Sequence, residues 1–267
     1  MSAGMEKLRV DRLPMDLVPL LSKAGVSGTV AVQARQSLSE TQWLLQLADE
    51  NPFVVGVVGW IDLCSADIEE QLERFTGHRA FRGVRHVVQD EPDDRFVLRD
   101  EFQRGIGKLA NLGLAYDLLV YPRQLPASAE LAANFPEQVF VLDHIAKPSI
   151  KDGKLEPWRT DIGKLAAFDN VYCKVSGMVT EADWLGWKPE DLTPYLNVVL
   201  EAFGPSRLMI GSDWPVCTLA ADYEQVMRIG ECFVSGLSAS EQRAVWFENA
   251  MRIYHLDALE EDVCFGD

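Results

Sequence analysis

Residues 139–148 read VFVLDHIAKP and residues 208–215 read LMIGSDWP, and each is a short apolar run that ends in charged or aromatic residues. The same sequence pattern recurs along the chain in runs rich in β-branched residues, which are typical of buried parallel strands. Seven candidate strands result, at residues 29–33, 54–60, 81–88, 114–121, 139–144, 171–176 and 208–213.

Amphipathic stretches with helical spacing separate these runs. In the first of them, Ser39 is placed to cap a helix in which Trp43, Leu44, Leu47 and Ala48 share one face. The predicted helices span residues 39–51, 66–75, 101–112, 127–135, 158–168, 193–203 and 223–230. Strand and helix therefore alternate, which defines the α/β class.

The spacing of the strands favours a barrel. Strand starts lie roughly 25 to 37 residues apart, close to the ~31 residues that each unit of a β/α barrel of about 250 residues occupies. An open doubly wound sheet is disfavoured because no strand is followed by a G-x-G-x-x-G turn. We therefore expect one α/β domain over residues 1–267, a TIM-type (β/α)8 barrel.

Composition limits the partners. The 267 residues carry 25 Lys+Arg against 41 Asp+Glu, a formal net charge of −16, and 48% are apolar, enough for a sizeable core. An acidic field repels phosphates and anionic lipids, so we expect no nucleic-acid or membrane partner. No stretch reaches the ~20 apolar residues of a membrane span, and no signal peptide is evident, which predicts a cytoplasmic protein that binds a small molecule.

Polar residues cluster at the carboxyl ends of the predicted strands, where a β/α barrel builds its active site. Hydrophobic strands do not need such residues to fold, so each is a candidate for function. They are Gln33, Trp60, Asp62, Arg85, His86, Asp117, Tyr121, Asp143, His144, Lys147, Lys174, Ser176, Ser212, Asp213 and Trp214.

Several of these candidates have structural alternatives. His86 is as compatible with a core histidine bound to a backbone carbonyl as with a ligand contact. Asp62 is read as the cap of the helix that begins near Ala66. Asp117 and Asp143 are candidates for ion pairs, with Arg85 or Lys174, inside the barrel.

His144 and Asp213 are the sharper functional pair. A carboxylate beside an imidazole can take a proton from water, while the imidazole polarises or protonates a substrate oxygen. Trp60 and Trp214 are placed to stack against the apolar face of a sugar ring, with core packing as the alternative. G-x-S-x-G, H-E-x-x-H and Walker motifs are absent from the sequence, which disfavours the chemistries they serve.

These motifs resemble the lactonase branch of the amidohydrolase superfamily, which includes L-fuconolactonase and L-rhamnonolactonase. The resemblance spans residues 8–256 and leaves an acidic tail at 257–267. It rests on GVVGWIDL (56–63), FRGVRH (81–86), YDLLV (116–120), LDHIAKP (142–148), KVSG (174–177), GSDWP (211–215) and FENA (247–250).

The resemblance implies a metal-dependent-hydrolase type of barrel that opens a sugar lactone such as L-fuconolactone or L-rhamnonolactone. Asp213 matches the aspartate that deprotonates water, and His144 matches the active-site histidine. Arg85, His86 and Lys174 would line the same pocket, and we add Trp60, Trp214, Gln33 and Tyr121 as candidate substrate contacts. A homo-oligomer is compatible with this assignment.

One feature of the family is missing. Its first strand carries a His-x-His pair, whereas the histidines here are His78, His86, His144 and His255, none of them two residues apart. We therefore expect a barrel that lacks its first strand, and either no cofactor or a single divalent metal such as zinc, held by His144 and Asp213. The alternatives are a decarboxylase or amide hydrolase of the same superfamily, or a truncated, catalytically impaired relative that acts as a binding protein.

Overall fold

The computed structural model describes residues 4–257 and contains one parallel sheet of seven strands. The strands are β1 (Thr29–Val32), β2 (Val54–Gly59), β3 (Phe81–His86), β4 (Ala115–Leu118), β5 (Phe140–Leu142), β6 (Val171–Val175) and β7 (Leu208–Ile210). They pair in sequence order, and β1 and β7 do not pair with each other within the described range. The predicted strands and the barrel-type α/β fold are confirmed, with seven strands rather than eight.

Ten α-helices occur within the same range. They are α1 (Pro14–Ala24), α2 (Leu38–Glu50), α3 (Ile68–Thr76), α4 (Asp100–Leu109), α5 (Leu125–Asn134), α6 (Trp158–Ala166), α7 (Pro189–Phe203), α8 (Tyr223–Val234), α9 (Ala239–Arg243) and α10 (Asn249–Ile253). Helices follow the strands as expected for β/α units. None of the helices in residues 4–257 is long and apolar enough to span a membrane.

Three details of the helix starts differ from the sequence-based expectations. The hydroxyl of Ser37, not Ser39, caps α2, accepting a hydrogen bond from the Glu40 amide at 3.2 Å. Asp62 caps no helix, because its carboxylate accepts from the Cys64 amide at 3.1 Å in the turn that follows β2. Helix α7 begins four residues early, at Pro189, whose fixed φ suits a first helical position.

The inner face of the sheet is filled from the C-terminal helix. Ile253 and Tyr254 pack with residues of β2, β4, β5 and β7 in one buried cluster. Strands β2 and β7 lie near opposite edges of the sheet and still share this cluster with β4 and β5, which shows that the sheet curls around α10. A Cβ added at Gly56 would lie 2.7 Å from a methyl carbon of Leu256, so this segment needs glycine in β2.

The helices cover the outer face, where the larger hydrophobic core lies. Helices α1 and α8 also pack together, and Lys23 pairs with Glu224 between them. The predicted acidic tail lies outside the described residues except for Asp257, whose carboxylate is 3.1 Å from the Arg82 guanidinium. With one face filled by helices and the other by α10, the carboxyl ends of the strands face a common mouth.

Candidate active site

His144 and Asp213 meet at this mouth, following β5 and β7. His144 Nε2 lies 3.7 Å from Asp213 Oδ1, and His144 Nδ1 lies 2.8 Å from the hydroxyl oxygen of Ser176, which follows β6. The His144 and Asp213 side chains are only 12% and 14% exposed. The serine fixes the imidazole plane, and the opposite nitrogen faces the carboxylate at slightly more than hydrogen-bond distance.

Both residues stand on left-handed backbone. The φ angles are 53° at His144, 48° at Ile145, 59° at Ala146, 49° at Lys147 and 54° at Asp213. Such angles are rare for residues other than glycine and asparagine, and β-branched Ile145 is the most unusual of the five. Strain of this kind collects at functional sites, where the surrounding structure holds it in place.

Gly177 makes room for this arrangement. Its φ is 64°, and a Cβ added there would lie 2.7 Å from the His144 ring. Glycine is therefore required at this position both for its backbone conformation and for the close approach of the imidazole.

Burial sets the protonation of the pair. Desolvation lowers the pKa of His144 to about 3 and raises the pKa of Asp213 to about 7, the latter against the opposing effect of Lys147 and Arg85. The imidazole is thus neutral near pH 7, while the carboxyl group changes charge there. A carboxyl group with its pKa near the working pH is suited to accept a proton and return it.

A buried chain of opposite charges lies below this pair. The Arg85 guanidinium is 2.7 Å from one oxygen of Asp143, and Lys174 Nζ is 2.8 Å from the other. Lys174 also pairs with Asp117, whose second oxygen accepts from the Tyr254 hydroxyl at 2.8 Å. The ion-pair alternative for Asp117 and Asp143 is therefore confirmed.

The charged groups in this buried cluster shift one another's pKa values. Burial would raise the pKa of Asp143, but Lys174 and Arg85 outweigh it and hold that pKa well below its usual range. Burial raises the pKa of Asp117 despite Lys174, and the two carboxylates raise the pKa of Lys174 against desolvation. Arg85 and Lys174 are thus engaged with protein carboxylates rather than free for a ligand.

His86 is held on both ring nitrogens. The Trp60 indole N–H points to Nδ1 at 3.4 Å, and Nε2 lies 2.7 Å from a Glu91 carboxylate oxygen. Because an indole only donates, Nδ1 is the acceptor and Nε2 carries the proton. The ring also stacks on Phe96 at 4.9 Å. His86 is therefore a satisfied histidine that orients Trp60, with both nitrogens already partnered.

The other residues predicted to contact the substrate differ in their exposure to solvent. Gln33 is fully buried, its side-chain amide donates to the Arg85 backbone carbonyl at 3.1 Å, and its backbone carbonyl accepts from the Arg85 guanidinium. Trp60, Tyr121 and Trp214 are half-buried at the strand ends. The three aromatic side chains are thus partly accessible at the strand ends, whereas Gln33 is not.

Four residues of this region were not assigned a role from sequence. Ser176 and Lys147 follow strands, so their positions were a signal, but nothing distinguished them from their neighbours. Glu181 lies in a turn, and burial raises its pKa. Tyr254 comes from the end of the chain, where sequence offered no indication that it reaches Asp117.

The donor set does not suit zinc. Within residues 4–257 no three His, Cys, Asp or Glu side chains converge as metal ligands. His144 and Asp213 supply one nitrogen and one carboxylate, and the other histidine nitrogen faces Ser176. Protein zinc sites use three or four side chains, so the described residues alone do not form one. The four described cysteines, Cys64, Cys173, Cys217 and Cys232, are free.

The chain is similar to several known proteins. The chain is 42% identical to the L-fucono-1,5-lactonase of Burkholderia multivorans, with 95% of this chain and 89% of that protein covered. It is 23% identical to the L-rhamnono-gamma-lactonase of Scheffersomyces stipitis, with 73% and 66% covered. A crystal structure of a B. multivorans amidohydrolase with bound zinc matches with a TM-score of 0.91 at 42% identity, covering 96% of this chain and 93% of that one.

The family assignment follows from these matches and from the fold. The pattern that describes the amidohydrolase family matches residues 3–256, nearly the whole sequence. That range includes all seven strands and both residues of the His144–Asp213 pair. The chain belongs to the amidohydrolase family.

Proposed function

We propose that this chain is a hydrolase that opens a sugar lactone, an aldonolactone such as L-fucono-1,5-lactone, with Asp213 as the general base. The observation that carries the proposal is the buried Asp213 carboxyl group, with its pKa raised to about 7, facing a neutral imidazole across 3.7 Å. The 42% identity to an L-fucono-1,5-lactonase supports the substrate class.

Substrate binding is assigned to the aromatic residues at the mouth. Trp60, Tyr121 and Trp214 offer flat apolar faces, which suit the C–H face of a sugar ring. The hydrogen bond from the Trp60 indole to His86, and from His86 to Glu91, fixes one of these faces in advance. A preorganised face lowers the entropy lost on binding.

The chemistry needs one activated water. The ionised Asp213 carboxylate takes a proton from this water while the water oxygen attacks the lactone carbonyl carbon. The electron pair of the carbonyl double bond then moves onto the carbonyl oxygen. When this pair returns, the ring C–O bond breaks, and Asp213 gives its proton to the departing ring oxygen. The product is an open aldonic acid, which releases one proton to solvent near neutral pH.

His144 assists at the reacting centre without changing its charge. Its pKa of about 3 keeps the ring neutral throughout, so it acts as a hydrogen-bond donor or acceptor toward water and substrate oxygens. Ser176 and Gly177 hold the ring in place, and the buried ion pairs beneath it fix the surrounding side chains. Fixed polar groups need little reorganisation during the reaction, which is the basis of electrostatic catalysis.

The test is hydrolysis of an aldonolactone panel. Purified protein is mixed with L-fucono-1,5-lactone, L-rhamnonolactone and their D-sugar counterparts, and proton release is followed with an indicator after subtraction of the spontaneous rate. We expect hydrolysis by the wild type and about a 100- to 10,000-fold loss in Asp213→Asn. The matched control is Asp169→Asn, an exposed aspartate just before β6. Absence of wild-type activity, or full activity of Asp213→Asn, refutes the proposal.

The alternatives give different outcomes. A decarboxylase releases carbon dioxide, and a binding protein shows saturable lactone binding without proton release. Zinc content measured on the same sample decides between no cofactor and a single divalent metal. We further propose that residues 8–256 form one domain, that the protein is cytoplasmic, and that its partner is the small-molecule lactone.

A further inference from the structure

Lys147 differs from the other cations at the mouth in having no protein carboxylate bound to it. Three cations that are at least partly buried lie here: Arg85 and Lys174, the next-to-last residues of β3 and β6, and Lys147, which follows β5. Arg85 and Lys174 are paired with Asp143 and Asp117. Within residues 4–257 the Lys147 ammonium forms neither an ion pair nor a side-chain hydrogen bond, and it lies 5.7 Å from the centroid of the Tyr121 ring.

The fold places this ammonium beside the reacting pair. Lys147 ends the left-handed turn that starts at His144, and its amide donates to the His144 carbonyl at 2.8 Å. The same turn therefore orients both side chains, and Pro148 follows directly. Tyr121 supports the ammonium from the neighbouring strand end. The acidic groups in its field are Asp213 and Glu181, and the basic ones near the same pair are Arg85 and Lys174.

We infer that Lys147 is a further catalytic residue, whose ammonium binds the lactone carbonyl oxygen and stabilises the negative charge that develops there. This rests on the proposed lactone hydrolysis. Lys147 forms no covalent bond: the carbonyl electron pair moves onto the oxygen as water adds and moves back as the ring C–O bond breaks. The ammonium keeps its protons throughout, and its charge offsets the transient oxyanion.

Charge pairing is why this role falls to Lys147. If Lys174 turned toward the substrate, Asp117 would stay buried without a counter-ion, and if Arg85 did so, buried Asp143 would lose one of its two cations, which is costly in either case. Lys147 gives up no such partner. A half-buried cation with an unfilled hydrogen-bonding capacity also gains most when an oxyanion forms, because the interaction is stronger in the transition state than with the neutral lactone.

The product provides a second, independent probe. Ring opening leaves a carboxylate at the carbon that was attacked, so the open aldonate carries a full negative charge close to the ammonium. Lys147 is therefore expected to bind L-fuconate more strongly than an uncharged sugar of the same shape, such as L-fucose. Affinity for the acid relative to the neutral sugar reports on Lys147 without any turnover.

The experiment compares Lys147→Met and Lys147→Arg with the control Lys151→Met. Lys151 is exposed and lies four residues after Lys147. Its Nζ is 3.6 Å from Asp183 Oδ1. We expect kcat for L-fucono-1,5-lactone to fall about 100-fold in Lys147→Met, as when an oxyanion donor is removed, and to stay within about tenfold in Lys147→Arg. L-fuconate should bind about tenfold more weakly to Lys147→Met, with L-fucose binding and Lys151→Met unchanged.

The possible negative results distinguish the role of Lys147 from the proposed lactone hydrolysis. If the wild type hydrolyses the lactone and Lys147→Met does so equally fast with equal L-fuconate affinity, Lys147 has no such role. If the wild type is inactive, the proposed function fails, and the binding arm alone decides on Lys147: equal L-fuconate affinity overturns the inference. Thermal melting of each variant, with Lys147→Gln as a second neutral form, excludes a folding defect as the cause.

Discussion

Replacing Asp213 by asparagine keeps the shape of the side chain but removes its ability to ionise. In the folded protein the pKa of Asp213 is about 7, against an ordinary value of 3.8. The folded state therefore holds this proton more tightly than the unfolded chain. Linkage then requires that the free energy of unfolding falls as pH rises from about 4 to about 7, as the unfolded state loses its proton first.

The size of the effect follows from the same two values. Each pKa unit corresponds to about 1.4 kcal/mol, so ionised Asp213 destabilises the fold by up to about 4 kcal/mol above pH 7. Asparagine carries no such charge. Asp213→Asn is therefore expected to be more stable than the wild type by up to about 4 kcal/mol at pH 8, and to differ little at pH 4, while losing activity.

Urea unfolding of both proteins at pH 4, 5, 6, 7 and 8 measures this difference. The stability gain should increase with pH and level off above pH 7. Asp169→Asn, at an exposed position, should stay within about 0.5 kcal/mol of the wild type at every pH. A gain that is the same at pH 4 and pH 8, or that decreases with pH, would falsify the assignment of a buried, costly carboxylate.

Three further predictions concern the same region. First, kcat/KM should rise with pH through about 7 as Asp213 ionises, and measurement in a series of buffers between pH 5 and 8 should not give a flat profile. Second, Gly177→Ala should cost about 1–3 kcal/mol and lower kcat, because a Cβ there meets the His144 ring at 2.7 Å. Gly153→Ala, with φ 63° but open space around it, is the control, and equal urea midpoints for the two variants would contradict the steric argument. Third, Lys174→Met leaves buried Asp117 without a cation and removes one of the two cations of Asp143, so it should cost about 3–5 kcal/mol in chemical unfolding, whereas the exposed Lys164→Met should cost under about 1 kcal/mol.

The sheet was predictable from sequence because its strands are local patterns. Residues 208–210 are all apolar, and residues 171–175 are mostly so, with Lys174 as the exception. The predicted runs end one residue after β6 and three residues after β7. Helix starts were less accurate, since Ser37 and Ser39 are both suitable caps and only the backbone decides between them. Pro189 shows the same limit, because a proline is compatible with both a loop and a first helical position.

The site was only partly predictable. The approach of His144 to Asp213 was predictable because both residues follow parallel strands, whose carboxyl ends lie on the same side of the barrel. The pairing of Lys174 with both Asp117 and Asp143 depends on strand register, and the role of Glu91 beside His86 on a loop conformation. The left-handed turn at residues 144–147 opposes local preference, so no propensity argument would have placed Lys147 where it lies.

The use of α10 to fill the curled sheet has a consequence for biosynthesis. Tyr254 bonds to Asp117, 137 positions earlier in the chain, so the fold depends on contacts with very long sequence separation. Chains emerge from the ribosome N-terminus first, and topologies with high contact order fold slowly. All seven strands thus leave the exit tunnel before the residues that cover their concave face. Without Ile253 and Tyr254 in place, that apolar surface and the carboxylate of Asp117 lack the cover that the folded protein gives them.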